Sequence, residues 1–292
     1  MRVGLVQHSA GDDYRNNLKA SLNGIDEAAR QGAQLVLLQE LHTSLYFCKT
    51  EDPAHFELAE TIPGTTTNVL AEAATALGIV IVGSVFERRA PGIYHNTAVI
   101  LEADGRLAGM YRKMHIPDDP GYYEKFYFTP GDLGFKPIST SLGKQGVLVC
   151  WDQWFPEAAR LVALAGAELL LYPTAIGWDP QDSFEEQARQ FNAWQIIQRS
   201  HAIANGLPLL CCNRVGLEYD PSGVGHDSQF WGGSFVCGPQ GEILAQAPND
   251  VEAVLVADID LARTAHVRNI WPYFRDRRID AYKDITCRYR DD

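Results

Sequence analysis

The stretch Gly146-Val-Leu-Val-Cys-Trp-Asp-Gln-Trp-Phe-Pro-Glu157 decides how the chain is read, because an apolar run stops in it at a single thiol, Cys150. Val147, Leu148 and Val149 are the residue types that a buried strand takes. Phe155-Pro156-Glu157 then places a proline and an acid where a helix begins. Cys150 is therefore expected at a strand-to-helix turn, and in open α/β sheets such turns are where ligands bind and catalytic groups collect. A helix opening just beyond the thiol would aim its positive end at it, favouring first a thiolate and later an oxyanion. The competing reading is that a free cysteine most often serves as a small buried hydrophobe.

The same unit recurs on both sides of this stretch. Downstream, the spacing predicts a helix over 156–165, a strand over 169–172, a helix from about 183 to 205 and a strand over 209–213. Upstream it predicts a strand over 2–7, a helix over 14–33 with Leu18, Leu22, Ile25, Ala28 and Ala29 on one face, and a strand over 35–38. A helix over 65–77 ending at Gly78 follows, then strands over 79–86, 97–101 and 107–111, the last two joined at Asp104-Gly105. Gly32-Ala-Gln-Leu-Val-Leu-Leu and Gly166-Ala-Glu-Leu-Leu-Leu-Tyr match in pattern, which suggests two related halves. Further strands are expected at 232–238, 243–245 and 253–259. Continuous apolar strands alternating with helices give an α/β fold whose sheets are covered on both faces. With no Pro-, Gly- or Ser-rich linker, one domain is expected over 1–262. The tail 263–292, which holds Trp271, Tyr273 and Phe274, is too aromatic to be a solvated end and is expected to pack on the core or on a neighbouring subunit.

A net charge of −12 argues against nucleic acid or an anionic membrane as partner and favours a cationic ligand. No stretch approaches a membrane span, and the apolar run that opens the sequence is broken at Gln7 and His8, too soon for a signal segment. The six cysteines form no C-x-x-C pair, which points to a reducing, cytoplasmic compartment. No G-x-G-x-x-G, P-loop, G-x-S-x-G or H-E-x-x-H motif occurs, so dinucleotide, nucleotide, serine-hydrolase and metal readings lose weight.

A cysteine nucleophile needs a base. His115 is the usual type, though a hydrogen-bonded structural role suits it better; Cys211 and Cys212, in an apolar strand, read as core. Two charges end otherwise apolar strands, Glu40 and Lys113. Each is costly to bury singly, and pairing in one pocket with Cys150 would explain both, against the alternative that they are exposed strand-end charges.

Glu40, Lys113 and Cys150, in the contexts Leu-Gln-Glu-Leu, Tyr-Arg-Lys-Met-His and Val-Cys-Trp-Asp-Gln-Trp-Phe-Pro-Glu, resemble the catalytic triad of the nitrilase superfamily of carbon–nitrogen hydrolases, over nearly the whole chain. Within it, the stretches 113–132 and 172–178 resemble the N-carbamoylputrescine amidases of polyamine synthesis. The resemblance implies an α-β-β-α sandwich, no metal or organic cofactor, and a homo-oligomer built from dimers. It also nominates Glu124 as the second glutamate of the pocket, orienting the lysine and the substrate. In this chemistry Glu40 takes the thiol proton, while Lys113 and the Trp151 N–H steady the oxyanion.

Substrate choice is argued from charge. The stretch 171–188 carries Asp179, Asp182, Glu185 and Glu186 and no basic residue, and the loop after Lys113 adds Asp118 and Asp119. Such walls repel a carboxylate and attract an ammonium, so a small cationic carbamoyl substrate is expected, with Asp182 as the candidate partner of its amine. Tyr122, Tyr123, Phe128, Trp151, Trp154 and Trp178 are candidates to line a slot for a methylene chain, against the alternative that they pack loops. The rival readings are β-ureidopropionase or another ω-amide hydrolase of the superfamily, and a non-catalytic binding member of the fold.

Overall fold

The computed structural model describes residues 1–220, 223 and 227–291. The first half runs β1 (Arg2–Gln7), α1 (Tyr14–Arg30), β2 (Leu35–Leu38), α2 (Thr65–Leu77), β3 (Val80–Ala90), β4 (Ile93–Leu101) and β5 (Leu107–Arg112). A one-turn α3 (Glu124–Tyr127) and β6 (Ile138–Thr140) lead to β7 (Gly143–Val147), α4 (Pro156–Leu164), β8 (Leu169–Thr174), β9 (Gly177–Trp178), α5 (Phe184–Asn205) and β10 (Leu209–Asn213). Last come β11 (Val215–Glu218), β12 (Ser228–Trp231), β13 (Phe235–Cys237), β14 (Ile243–Gln246), β15 (Ala253–Asp258) and α6 (Leu261–Ile270).

Two six-stranded sheets result, ordered β15-β1-β2-β3-β4-β5 and β14-β13-β10-β8-β7-β6, beside a small sheet β11-β12-β9. From β5 across the first sheet the pairings are antiparallel, antiparallel, parallel, parallel, antiparallel. From β14 across the second the succession is identical. The halves therefore share one plan, in which β2 and β8, each led in by a glycine of the matched heptapeptides, hold equivalent places.

Why the strands are apolar throughout follows from their two covered faces. Leu35, Leu37, Val80 and Val82 enter the core shared with the second sheet, while Val36, Leu38 and Ile81 enter the core under α1 and α2. Helices α4 and α5 cover the far side of the second sheet, giving the expected α-β-β-α layering. Each fully buried leucine contributes on the order of 2 kcal/mol, so either face alone is a strong constraint on register.

Helix α1 begins at Asp13, whose side chain accepts from the Asn16 N–H, and it stops at Arg30, short of the expected residue 33. Gly32, at φ +88°, turns the chain away there, a conformation that costs other residues strain. Helix α5 is capped by Ser183 and stopped at Gly206, φ +55°. The strand expected over 97–101 begins earlier, at Ile93, and pairs with a β3 that extends to Ala90. Helix α6 runs across position 262, so the boundary expected there falls within a helix. Beyond it Phe274 packs between Arg160 and Arg268, whose guanidiniums lie 5.0 and 4.9 Å from its ring centre. No helix among the described residues is long and apolar enough to cross a membrane.

Candidate active site

Strand ends from both sheets converge at one point. Glu40 follows β2, Lys113 follows β5, Cys150 follows β7, and Glu124 opens α3. Lys113 Nζ donates to Glu40 Oε1 at 2.8 Å and to Glu124 Oε2 and Oε1 at 2.7 and 2.9 Å. The lysine and both acids are buried, and their pairing explains how the interior tolerates three charges. Burial works against the Lys113 charge, but Glu124 and Glu40 outweigh it and hold its pKa well above the usual range. Lys113 is thus a fixed cation rather than a base.

The Cys150 thiol lies within the field of all three charges and approaches the Ala175 carbonyl at 3.7 Å. Burial first, then the Glu40 carboxylate, push its pKa well above the ordinary value, and Lys113 offsets this only in part. The thiolate expected from a helix start is therefore not the resting form. The physical reason is visible in the structure: a 3-10 turn, Cys150–Trp154, separates the thiol from α4, and the Glu40 and Glu124 carboxylates both act on the thiol to oppose its ionisation. Asp152 pins that turn by accepting from Val149 N (2.9 Å), Tyr111 Oη (2.8 Å) and His115 N and Nδ1 (3.0 and 2.6 Å). His115 also stacks on Phe155 at 3.8 Å, and so is committed to the turn. Cys150 itself sits at φ +44°, an unfavourable conformation for a residue with a side chain, and Leu41, next to Glu40, sits at +47°.

Glu40 has one engaged and one open oxygen. Oε1 accepts from Lys113 and from Asn96 Nδ2 at 2.7 Å, whereas Oε2 is buried and has no hydrogen-bond partner among the described residues. That open oxygen is the one able to receive a proton. Glu124 Oε1 also accepts from Tyr46 Oη at 2.7 Å. Burial raises the Glu124 pKa, Lys113 opposes the rise and Glu40 adds to it. Asn96 and Tyr46 were not foreseen from the sequence. For Asn96 a signal existed, the polar run His95-Asn96-Thr97 inside an otherwise apolar strand.

A cavity of about 450 Å³ opens above the thiol, with Glu124, Cys150, Trp151, Trp154 and Tyr122 in its wall; Glu40 and Lys113 lie behind that wall, fully buried. Four of the nominated substrate contacts, Tyr123, Trp178, Asp182 and Phe128, fall outside the cavity lining. Tyr123 is absent from the lining: its N–H is bound to the Cys48 carbonyl as the chain enters α3, and its neighbour Tyr122 faces the cavity instead. Trp178 lines a smaller adjoining hollow with Asp179 and Asp227, its indole N–H held by the Gln187 carbonyl. Asp182 stands one step behind, accepting at 3.0 Å from Gln190, which does line the cavity. The carboxylate in the outer wall is Asp119. Phe128 is buried among Phe47 and Phe86, away from the cavity. Cys211 and Cys212 are core, with pKa values raised by burial. Among the described residues no group of three or more His, Cys, Asp or Glu is arranged to hold a metal ion.

Residues 2–269 match the family described as carbon-nitrogen hydrolase. The chain is 44% identical to an N-carbamoylputrescine amidase of Solanum lycopersicum, over 96% of this chain and 93% of that one. It is 41% identical to a citrullinase of Francisella tularensis, over 99% of each. A solved carbon-nitrogen hydrolase from Helicobacter pylori superposes with a TM-score of 0.96 at 52% identity, over 99% of each chain.

Proposed function

The chain belongs to the carbon–nitrogen hydrolases of the nitrilase superfamily, and from that premise we propose that it hydrolyses the ureido group of N-carbamoylputrescine to putrescine, ammonia and carbon dioxide through a covalent intermediate on Cys150. Its class, a hydrolase of carbon–nitrogen bonds other than peptide bonds, follows from the family. The finer reading rests chiefly on one observation: among the described residues no basic side chain lines the cavity wall, while Glu124 lies within and Asp119 at the rim.

In the proposed reaction Cys150 Sγ adds to the carbamoyl carbon as its proton passes to Glu40 Oε2. The oxyanion so formed is met by Lys113 Nζ and the Trp151 N–H, and one such donor contributes about 3 to 4 kcal/mol. Glu40 returns the proton to the nitrogen that departs, then draws one from the water that attacks the S-carbamoyl intermediate and passes it to the departing Cys150 sulfur; the carbamic acid released breaks down to carbon dioxide and the second amine. Because the thiol rests protonated, this transfer has to accompany attack, and the unpartnered Glu40 oxygen suits that need.

Asp119 takes the ammonium end in this reading, in place of Asp182, with Tyr122, Trp151 and Trp154 along the methylene chain. N-carbamoyl-β-alanine offers only a carboxylate, for which the wall has no cation. Citrulline offers an ammonium that Asp119 suits and a carboxylate for which the described wall residues hold no cation. A homo-oligomer is proposed as well, supported by exposed Leu161, Leu164 and Ile196 on α4 and α5 and Ile279 on the tail; sedimentation as a monomer would overturn it.

Ammonia release from the three substrates tests the assignment. The expected result is a kcat/KM for N-carbamoylputrescine at least about tenfold above citrulline and more above N-carbamoyl-β-alanine. Equal or faster turnover of citrulline would overturn the substrate while leaving the hydrolase class intact.

A further inference from the structure

We infer that the buried ion pair Arg214–Glu218 is a positioning clamp for both carboxylates that grip Lys113, an assignment that rests on the catalytic reading of Glu40 and Cys150. Arg214 and Glu218 are buried, their side chains 0% and 2% exposed, with Nη1 2.7 Å from Oε1. An ion pair so enclosed contributes little net stability, since desolvation offsets the attraction. What the pair does hold is one short segment. Arg214 donates to the carbonyls of Glu40 (3.1 Å), Leu41 (2.7 Å) and Ser44 (2.9 Å). The other oxygen of Glu218 accepts from Tyr46 N at 2.7 Å.

Segment 40–46 serves both acids. It carries Glu40 at one end, and at the other Tyr46, whose hydroxyl binds Glu124. In between, Leu41 holds φ +47°, a conformation that persists only where surrounding bonds over-determine it, and Arg214 and Ser84 supply bonds on either side of that residue. Without the clamp the segment relaxes, the open oxygen of Glu40 loses its aim, and Tyr46 no longer fixes Glu124.

The pair also ties the segment to the cavity wall. Glu218 ends β11, which pairs with β12, and β12 pairs with β9; Gly177 and Trp231 from those strands line the cavity. The Glu218 carbonyl further accepts from Lys49 Nζ. Closure of the wall and aim of the base are thereby set by one side-chain pair.

The experiment is the rate of Cys150 alkylation by iodoacetamide, followed by mass spectrometry across pH, in the full-length protein. Glu218→Gln and Arg214→Lys are compared with wild type and with each change placed on Glu40→Gln. Alkylation of either single variant near neutral pH is expected to fall about tenfold, with its pH profile displaced upward, because the base is misplaced. On the Glu40→Gln background the same changes are expected to add almost nothing, since a positioning residue acts only through the group it positions. Arg214→Lys keeps the buried charge and tests the clamp if Glu218→Gln does not fold. Wild-type rate and profile in the folded variants, or a full additional loss on the Glu40→Gln background, would overturn the inference. The readout needs no turnover of N-carbamoylputrescine, so failure of the substrate assignment and failure of the clamp are told apart.

Discussion

At the end of β2 the first sheet delivers Glu40, a buried charge; at the matching end of β8 the second delivers Thr174 and Ala175, small and uncharged. The ends touch, the Glu40 N–H reaching the Thr174 carbonyl at 3.3 Å, and the Ala175 carbonyl faces the thiol. A second pair of matched ends differs the same way. After β7 stands Cys150 at the cavity floor, whereas after β1 stands His8, closed off by hydrogen bonds to the Ser9 carbonyl and Ser21. The shared plan thus supplies two pairs of equivalent positions, and in each pair one end carries a candidate catalytic side chain, Glu40 or Cys150. Of the other two, the β8 end supplies backbone carbonyls to Glu40 and to the thiol, whereas the β1 end is occupied by a buried, hydrogen-bonded histidine.

That asymmetry can be broken in order of effect. Removing the occupants costs most: Cys150→Ala should abolish ammonia release, a loss of roughly 10⁵-fold or more, and Glu40→Gln should lower kcat by about 10²- to 10⁴-fold. Substantial turnover in Cys150→Ala, measured with the same preparation, would remove the second sheet from the chemistry.

Titration sharpens the first sheet's share. Burial, opposed by Lys113 and reinforced by Glu40, pushes the Glu124 carboxyl up to about 7. A raised acid is protonated before an ordinary one as pH falls, so Lys113 should lose one of its two counter-charges near neutrality. The acid limb of kcat/KM is expected near pH 7, rate declining below it, rather than in the usual carboxylate range about pH 4. Tyr46→Phe removes a bond that favours the ionised form and should shift the limb upward; a limb unmoved near pH 4 would contradict the burial argument.

The smallest effect tests the equivalence itself. Gly32 and Gly166 lead into β2 and β8 at φ +88° and +97°, and a Cβ at either would meet only ordinary contacts, with Arg2 and Lys144 respectively. Gly32→Ala and Gly166→Ala should each cost about 1 to 2 kcal/mol from backbone strain alone, with kcat unchanged. Urea denaturation giving clearly unequal costs would show the two turns to be less alike than their angles.

Much of this was legible because burial forbids charge unless it is paired. Glu40 and Lys113 end apolar strands, and the structure shows the pairing that makes them tolerable. The same signal marks Arg214, directly after the apolar run Leu209–Asn213, and it was passed over because its partner lies four residues on rather than in a recognised motif. Tyr46 gave no signal, since a tyrosine in a loop looks alike whether its hydroxyl meets water or Glu124. Tyr122 and Tyr123 were not told apart for a similar reason: on irregular backbone, which neighbour faces inward is fixed by tertiary bonds and not by spacing. Helices α2 and α5 end where expected, at the left-handed Gly78 and Gly206, while α1 ends early, two residues before the left-handed Gly32.

The burial that keeps Cys150 protonated has a consequence for durability. Peroxide attacks thiolate, and oxidation beyond the sulfenic acid is not readily undone. A thiol that burial holds protonated should expose little thiolate to oxidants, so slow inactivation by peroxide is the expected outcome for this protein.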